Sequence, residues 1–329
     1  MRSRAGVVLV ALAVGAAFVT AGCGRTQSDV TLTLDWTPNP DHVGFYDARE
    51  TGLFARAGLN VAIRSPSDPT APLKLVGVGK TDLAISYEPE VFFAAAKKLP
   101  VVAVAAVVPQ PLNSLIAIDP KIRTVHDLSR RRIGITGVPS DYATLDTVLT
   151  SAGLRREDVK VVAVGYNLLP ALLGHKVDAV LGVYRNVEGI QLQQRHLRPT
   201  IVPVNRAGVP NYDELVLVAN SSRLRSDSAY RSMVRRFVAA FVTGTAQARR
   251  HPIRALQILR HVIASTAAFL ARATPATLAL LSGREGIGCM RVQDWQRFGT
   301  WMRAQSLLKQ PIPATSVMTT RYLPARCTA

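Results

Sequence analysis

The stretch Leu34-Asp35-Trp36-Thr37-Pro38-Asn39-Pro40-Asp41-His42-Val43-Gly44 decides the fold, because it joins a predicted strand to a predicted helix. Residues 30–35 alternate apolar and polar side chains, which is typical of a half-buried strand. Pro38 and Pro40 exclude a helix across the loop, and Asp41 is a good N-cap for a helix over residues 42–51. Open α/β sheets bind ligands where a strand ends in a loop before a helix, so we predict a ligand site here.

Three side chains in this loop have the chemistry to hold a flat, nitrogen-bearing heterocycle. Trp36 offers an indole face, Asn39 a carboxamide and His42 an imidazole. A helix N-terminus disfavours the charged imidazolium, so we expect His42 to be neutral, with one donor and one acceptor nitrogen. A simpler structural interpretation fits these residues equally well: the indole packs beneath the loop and the imidazole caps the helix.

Strand and helix patterns alternate over residues 30–118 and again over residues 132–195, which favours an α/β fold with mostly parallel sheets. The segment Gly79-Lys80-Thr81-Asp82 in the first run is echoed by Gly174-His175-Lys176-Val177-Asp178 in the second. Such an echo predicts two similar lobes. The strand after each copy ends in a polar, aromatic segment, so we expect two strand tips to face each other across a cleft: Tyr87-Glu88-Pro89-Glu90 and Tyr184-Arg185-Asn186-Val187-Glu188.

The tail is predicted to be helical and to return to the first lobe. Apolar side chains recur at helical spacing over residues 230–242, and further helices fit residues 251–261, 275–281 and 292–308. We therefore assign residues 30–117 and 204–329 to lobe 1 and residues 118–203 to lobe 2. The chain would cross between the lobes near residues 118–119 and 202–205.

The first residues have the pattern of an export signal. Arg2 and Arg4 precede an apolar run, over residues 7–19, that is too short for comfortable membrane spanning. The run ends in Thr20-Ala21-Gly22-Cys23, which resembles a bacterial lipobox. Residues 1–22 are thus predicted to be a signal peptide, Cys23 a lipidated N-terminus on the extracytoplasmic face of the cell membrane, and residues 23–29 a tether. Simple cleavage without lipidation is the alternative.

Charge and cysteine content restrict the remaining classes. The net charge is +18, but without a recognisable nucleic-acid-binding motif it favours a basic surface attracted to anionic lipid headgroups. Cys289 and Cys327 are predicted to pair in an oxidising compartment, and two unpaired thiols are the alternative. The sequence has no CxxC and no His/Cys cluster, so we predict no metal site.

The motif loops resemble those of the thiamine-pyrimidine-precursor-binding family of ABC-transporter receptors, which is related to sulfonate receptors and to fungal pyrimidine synthases. The resemblance covers about residues 30–220 and implies a two-lobed, type II periplasmic-binding-protein fold without catalytic residues or cofactor. It implies an aminopyrimidine ligand stacked between Trp36 and Tyr184, with Glu188 accepting from its amino group. It also implies a monomer that serves an ABC permease and ATPase. The predicted ligand-binding residues are Trp36, Asn39, His42, Tyr87, Glu90, Tyr184, Asn186 and Glu188.

Three other functions remain open at this stage. A receptor for sulfonate, nitrate or another small anion would need cationic donors, whereas the motif loops offer carboxylates and aromatic rings. A pyrimidine synthase of the fungal type consumes its own active-site histidine and uses pyridoxal phosphate and a cysteine-rich iron motif. His42 occupies the matching position, but the chain lacks a cysteine cluster and has no lysine in the first loop. A tethered adhesin would lack a cleft lined from both lobes.

Overall fold

The computed structural model describes residues 27–327, apart from the Arg326 side chain, and shows two five-stranded sheets flanked by helices. The predicted signal peptide and Cys23 lie outside the described residues. The strands are β1 (Ser28–Thr33), β2 (Leu59–Arg64), β3 (Leu83–Ser86), β4 (Val101–Val108), β5 (Asn113–Ala117), β6 (Arg132–Ile135), β7 (Lys160–Ala163), β8 (Ala179–Tyr184), β9 (Thr200–Pro203) and β10 (Leu215–Asn220).

The α-helices cover both sheets and form the tail of the chain. They are α1 (Val43–Glu50), α2 (Leu53–Arg56), α3 (Ala71–Gly77), α4 (Glu88–Ala96), α5 (Pro139–Thr150), α6 (Leu168–Leu173), α7 (Glu188–Gln194), α8 (Ser221–Ser226), α9 (Ser228–Arg250), α10 (Pro252–Val262), α11 (Ala267–Leu278), α12 (Val292–Ala304) and α13 (Ala314–Val317).

The two sheets have the same construction. The first has the order β2-β1-β3-β10-β4 and the second the order β7-β6-β8-β5-β9. In each sheet the first three strands are parallel, and the fourth, β10 or β5, is antiparallel to its neighbours. In each sheet, the antiparallel strand is the first strand of that sheet after the chain has crossed from the other sheet. The predicted α/β fold with two similar lobes is therefore confirmed.

The chain crosses from the first lobe to the second earlier than the sequence predicted. Residues 113–117 were assigned to lobe 1, but as β5 they pair with β8 and β9 of the second sheet. The chain thus crosses over residues 109–112 rather than near residue 118. The apolar run over residues 101–108 continues almost without interruption into 112–117, so hydrophobicity alone does not reveal that the sheet has changed.

The sequence echo marks equivalent positions in the two sheets. Asp82 Oδ2 accepts from the Thr31 backbone N–H (3.0 Å), and Asp178 Oδ2 accepts from the Arg132 N–H (2.7 Å). Asp82 precedes β3 and binds the backbone of the neighbouring strand β1. Asp178 precedes β8 and binds the backbone of the neighbouring strand β6. The repeated aspartate thus links two neighbouring strands of each sheet at the end where β3 or β8 begins, away from the cleft.

The tail packs against the first sheet, as predicted. The Ala106 N–H donates to the Gly288 carbonyl (2.9 Å), and the Thr319 N–H donates to the Ala103 carbonyl (2.9 Å), so tail segments pair with strand β4. Cys289 and Cys327 form a disulfide within this layer. None of the helices within residues 27–327 has the length and apolar character needed to cross a membrane.

Helix α9 holds α1, and with it the motif loop, by an unusually close contact. A Cβ added at Gly244 would lie 2.5 Å from the Gly44 carbonyl oxygen and 2.8 Å from Ala48 Cβ. Phe45 of α1 stacks on Phe241 of α9, with 4.3 Å between ring centroids. Any larger side chain at position 244 would therefore push α1 outward.

Loss of the disulfide should destabilise the tail without removing the cleft. We expect replacement of Cys289 and Cys327 by serine to lower the free energy of unfolding by about 2–4 kcal/mol, because the bond closes a loop of 38 residues. Urea denaturation of both proteins would measure the difference. Wild type treated with a reductant is the matched control, and equal stability in all three samples would contradict the prediction.

Candidate ligand-binding site

The loop after β1 is organised by the Asn39 side chain. Asn39 Oδ1 accepts from the Asp41 N–H (2.9 Å), which caps a short 3-10 helix, Pro40–His42, that leads directly into α1. Asn39 also donates from its backbone N–H to His42 Nδ1 (3.2 Å). Asn39 is therefore the N-cap in place of Asp41, because the turn starts two residues earlier than the sequence pattern indicated.

The His42 imidazole is neutral and faces inward, toward the protein. Because Nδ1 accepts from the Asn39 N–H, the ring proton lies on Nε2, which donates to Asp35 Oδ1 (2.9 Å). The ring is completely buried. The predicted neutrality follows from these two contacts, but His42 acts through Asp35 and does not face the cavity described next.

Asp35 connects the two strand tips of the first sheet. Its Oδ2 accepts from the Tyr87 hydroxyl (3.2 Å), while Oδ1 accepts from His42. Asp35 follows the end of β1 and Tyr87 follows β3, so this carboxylate fixes the phenol at the edge of the cleft. Charge on Asp35 is the largest influence after burial that raises the pKa of Tyr87 well above its ordinary value, and the phenol therefore remains protonated.

A small inner cavity, with a solvent-accessible volume of about 20 Å³, lies between the two lobes at these strand tips. None of its lining residues, all within the described part of the chain, is a lysine or arginine. They are Asp35, Trp36, Asn39, Tyr87, Gly182, Tyr184, Val187 and Glu188.

Glu188 supplies the carboxylate of the second lobe. It begins α7, and its Oε2 accepts from the Tyr184 backbone N–H (2.8 Å). Burial raises the pKa of Glu188 to about 7, against the opposing effect of hydrogen bonds from the backbone. A polar group that arrives in the cavity would find a carboxyl with free acceptor capacity and little competing solvent.

A second small compartment, with a solvent-accessible volume of about 30 Å³, adjoins the first and shares Tyr87, Gly182 and Tyr184 with it. Two of its carboxyls have a pKa raised to about 7, chiefly by burial: Asp141 and Glu214. Its remaining lining residues are Pro89, Asn113, Thr136, Val138, Ser140, Thr144 and Tyr212, and this compartment too, within the described residues, is lined without lysine or arginine.

The outer side of the inner cavity opens toward a wider recess with a solvent-accessible volume of about 260 Å³. Trp36 lies at the boundary between the two and meets Tyr166 of the second lobe edge to face, with 4.3 Å between ring centroids. The loop at Ile263–Ser265 and Phe269 of α11 line the far side of this recess. A ligand that enters from there would pass the indole before it reaches Glu188.

The structure brings five of the eight predicted residues to the inner cavity, namely Trp36, Asn39, Tyr87, Tyr184 and Glu188. The other three lie outside its lining. His42 is buried behind Asp35. Glu90 Oε1 accepts from the Ser140 N–H (2.7 Å) of the second lobe. Asn186 Nδ2 donates to Asp41 Oδ1 (2.7 Å) and Thr277 Oγ1 (2.9 Å).

Glu90 and Asn186 therefore join the lobes. Glu90 follows the lining residue Tyr87 by three positions, and Asn186 lies two positions from both Tyr184 and Glu188, so strand-tip motifs alone could not separate the two roles. Sequence analysis also missed Asp35, Gly182 and Val187 as lining residues, although all three stand within or beside the quoted motifs. No group of three or more potential metal ligands occurs among residues 27–327.

Comparison with known proteins gives consistent matches. Residues 39–255 match the NMT1/THI5 like family. A putative thiamine biosynthesis protein of Haemophilus influenzae is 36% identical over 232 residues, covering 70% of this chain and 72% of that protein. The formylaminopyrimidine-binding protein of Halalkalibacterium halodurans is 32% identical over 303 residues, covering 90% of this chain and 91% of its own.

The fold has solved counterparts as well. The alkanesulfonate-binding protein SsuA from Xanthomonas axonopodis pv. citri, bound to MOPS, superposes with a TM-score of 0.68 at 17% identity, covering 88% of this chain and 98% of its own. This likeness establishes the two-lobed periplasmic-binding-protein fold. The family match and the two relatives establish more, because the match spans well over half of the chain and both relatives are more than 30% identical over at least 70% of it: the chain belongs to the NMT1/THI5-like family.

Proposed function

We propose that this protein is the extracytoplasmic solute receptor of an ABC importer and that it binds a thiamine-related aminopyrimidine of the formylaminopyrimidine or hydroxymethylpyrimidine type. One observation carries the proposal: the interlobe cavity combines aromatic rings with carboxylates and, among its described lining residues, has no cationic side chain. The relative from Halalkalibacterium halodurans, which aligns over most of both chains, is named for a ligand of this type.

In the proposed complex the flat ring lies between Trp36 and Tyr184, where each aromatic face covers one side of it. Glu188 accepts from the exocyclic amine, since its carboxyl has a free oxygen at the cavity. Asn39 and Asp35 face the remaining substituent. His42 contributes indirectly, because its Nε2 proton holds Asp35 in position.

An anionic solute is the weaker candidate for the cleft. Sulfonate and nitrate need cationic or converging N–H donors, whereas Asp35 and Glu188 line the inner compartment and Asp141 and Glu214 the second. Only the ionised carboxyls repel an anion, and burial raises the pKa of Glu188, Asp141 and Glu214 to about 7, so this repulsion is strongest above that pH. The fold alone is shared with a sulfonate receptor, so the lining decides between the two ligand classes.

A pyrimidine synthase is also a weaker candidate. In the fungal enzymes that this chain resembles, the active-site histidine is consumed and must meet the cofactor. Here the His42 ring is completely buried, with both nitrogens occupied by Asn39 and Asp35. That arrangement suits a side chain that supports a binding site.

The receptor role brings further parts of the proposal with it. The protein would act as a monomer, deliver its ligand to a permease driven by an ATPase, and be held at the membrane by a lipid on Cys23. The basic surface that follows from the net charge of +18 would lie against anionic headgroups.

Ligand affinity should depend on one stacking face and one carboxylate. We expect Trp36→Ala to weaken binding of a formylaminopyrimidine by about 1–3 kcal/mol through loss of a stacked ring. Glu188→Gln should weaken it by about 1.5–3 kcal/mol, because a charged acceptor becomes a neutral amide. Calorimetry of the purified variants measures both. Glu157→Gln, on an exposed carboxylate, is the matched control; an affinity unaffected by both changes would refute the assignment.

The cleft should reject anions that share the pyrimidine ring. We expect the phosphate ester of the hydroxymethylpyrimidine to bind at least about 100-fold more weakly than the free alcohol, because like charges in an interface cost several kcal/mol. Asp141→Asn should reduce this difference in affinity between the phosphate ester and the free alcohol, since it removes one of the carboxyls in the second compartment. Competition calorimetry would test this, with an alkanesulfonate included. Equal or tighter binding of either anion counts against the proposal.

The lipid anchor is tested independently of the ligand. Cys23→Ala should move the protein from the membrane fraction to the soluble fraction, because it removes the thiol that would carry the lipid. Pyrimidine affinity of the released protein should equal that of wild type. If the variant stays in the membrane fraction, another element anchors the chain.

A further inference from the structure

The contact between Asp41 and Asn186 joins the two lobes and leaves two buried atoms unsatisfied. Asp41 belongs to the 3-10 helix of the motif loop, and Asn186 stands between β8 and α7 in the other lobe. Asn186 Nδ2 donates to Asp41 Oδ1 (2.7 Å) and to Thr277 Oγ1 (2.9 Å). Asp41 Oδ2 and Asn186 Oδ1 are both buried and have no hydrogen-bond partner.

A proton on Asp41 Oδ2 that is donated to Asn186 Oδ1 would satisfy both of these oxygens at once. A carboxylate has only acceptors, so it can satisfy one side of a carboxamide and must leave the amide oxygen without a donor. A carboxylic acid offers one donor and one acceptor, as the carboxamide does. Burial of an unpaired charged oxygen is costly, and protonation removes both the charge and the missing donor.

The surroundings of Asp41 favour the protonated form. Its neighbour His42 is neutral, as its two hydrogen bonds require. Burial raises the pKa of Asp41 to about 6 against the opposing attraction of a charged His42 and the hydrogen bond from Asn186, and the neutral state of His42 removes the first of these two opposing effects. The other titratable or hydroxyl-bearing groups that act on Asp41 or respond to its charge are Asp35, Tyr184, Arg185, Glu188 and Thr277.

We propose that Asp41 is a positioning residue which closes the cleft as a neutral carboxylic acid bound to the Asn186 carboxamide, so that closure takes up a proton. The inference deepens the proposed receptor function, since closure over the solute is the step it controls. An acid whose pKa rises on closure favours the closed state at low pH and loses this contribution as pH rises through about 6. With an ordinary value near 3.8 in the open cleft, closure would be about tenfold more favourable at pH 5 than at pH 8.

The variant Asp41→Asn separates this proposal from a merely structural role. Asparagine has the shape of the protonated aspartic acid and can both donate to and accept from Asn186 at any pH. We therefore expect the variant to be more closed than wild type by about 150-fold in the closure equilibrium at pH 8 and by about 15-fold at pH 5, because the open wild-type protein must still take up a proton to close at pH 5. Among the other carboxyls of the cleft, Glu188 responds to the charge on Asp41, so the same comparison in a Glu188→Gln background isolates the effect of position 41.

Closure can be measured without ligand by fluorine NMR of protein labelled with 5-fluorotryptophan. The chain has three tryptophans, and Trp36 lies against Tyr166 of the other lobe, so its signal, assigned with Trp36→Phe, reports the closed fraction. Asp47→Asn is the matched control: Asp47 is a buried aspartate with an unpaired oxygen in α1, and it pairs with Arg254 of its own lobe. This control should follow the wild-type pH profile.

A Trp36 signal that Asp41→Asn leaves unchanged at pH 8, or shifts toward the open state, overturns the proposal. The result does not depend on which solute is bound, because the measurement uses the unliganded protein. Failure of pyrimidine binding in calorimetry would count against the proposed function alone, whereas an unchanged closure equilibrium would count against the role of Asp41 alone.

Discussion

The hydrogen bond from His42 Nε2 to Asp35 Oδ1 holds the site together, because both groups are almost entirely buried and each would be costly without the other. It ties the start of α1 back to the end of β1 and so fixes the width of the loop between them. The same carboxylate then orients Tyr87 from the neighbouring strand. Pro38 and Pro40 stiffen the loop, and the close approach of Gly44 and Gly244 holds α1 against α9. Trp36 can therefore project from a rigid support.

Contacts between the lobes at the cleft differ in kind from contacts within each sheet. Strand pairing and apolar side chains build the sheets, whereas the cleft is bridged by hydrogen bonds from Asn186 and to Glu90 and by the edge contact of Trp36 with Tyr166. Each polar bridge can be exchanged for water when the lobes separate. A cleft closed in this way can open and close on the small free energies that one ligand, or one proton, supplies.

Sequence reasoning predicted the two lobes and the strand tips, because period-two alternation and the repeated aspartate segment are local signals. It did not find the first crossing, since β4 and β5 are both apolar and only their partners distinguish them. It began a helix at Pro275, although α11 starts at Ala267 and continues through that proline. It also grouped Glu90 and Asn186 with Glu188: which neighbouring side chains face a cavity depends on the rotation of the elements, and that is set by packing from the opposite lobe.

A cleft lined by hydrogen-bond acceptors and aromatic faces would select against any ligand that leaves those acceptors without a donor. Asp35, Glu188, Asp141 and Glu214 can all accept hydrogen bonds, and the cavities they line contain no basic side chain among the described residues. A solute with an amine or amide N–H satisfies these oxygens, while an anion of the same size repels them and also loses its own hydration. In the proposed receptor a flat ring would be preferred, because two aromatic faces from different lobes are both covered only when the cleft closes on something thin. Shape and hydrogen-bond polarity would then act together, and a ligand that meets both requirements would favour the closed state most strongly.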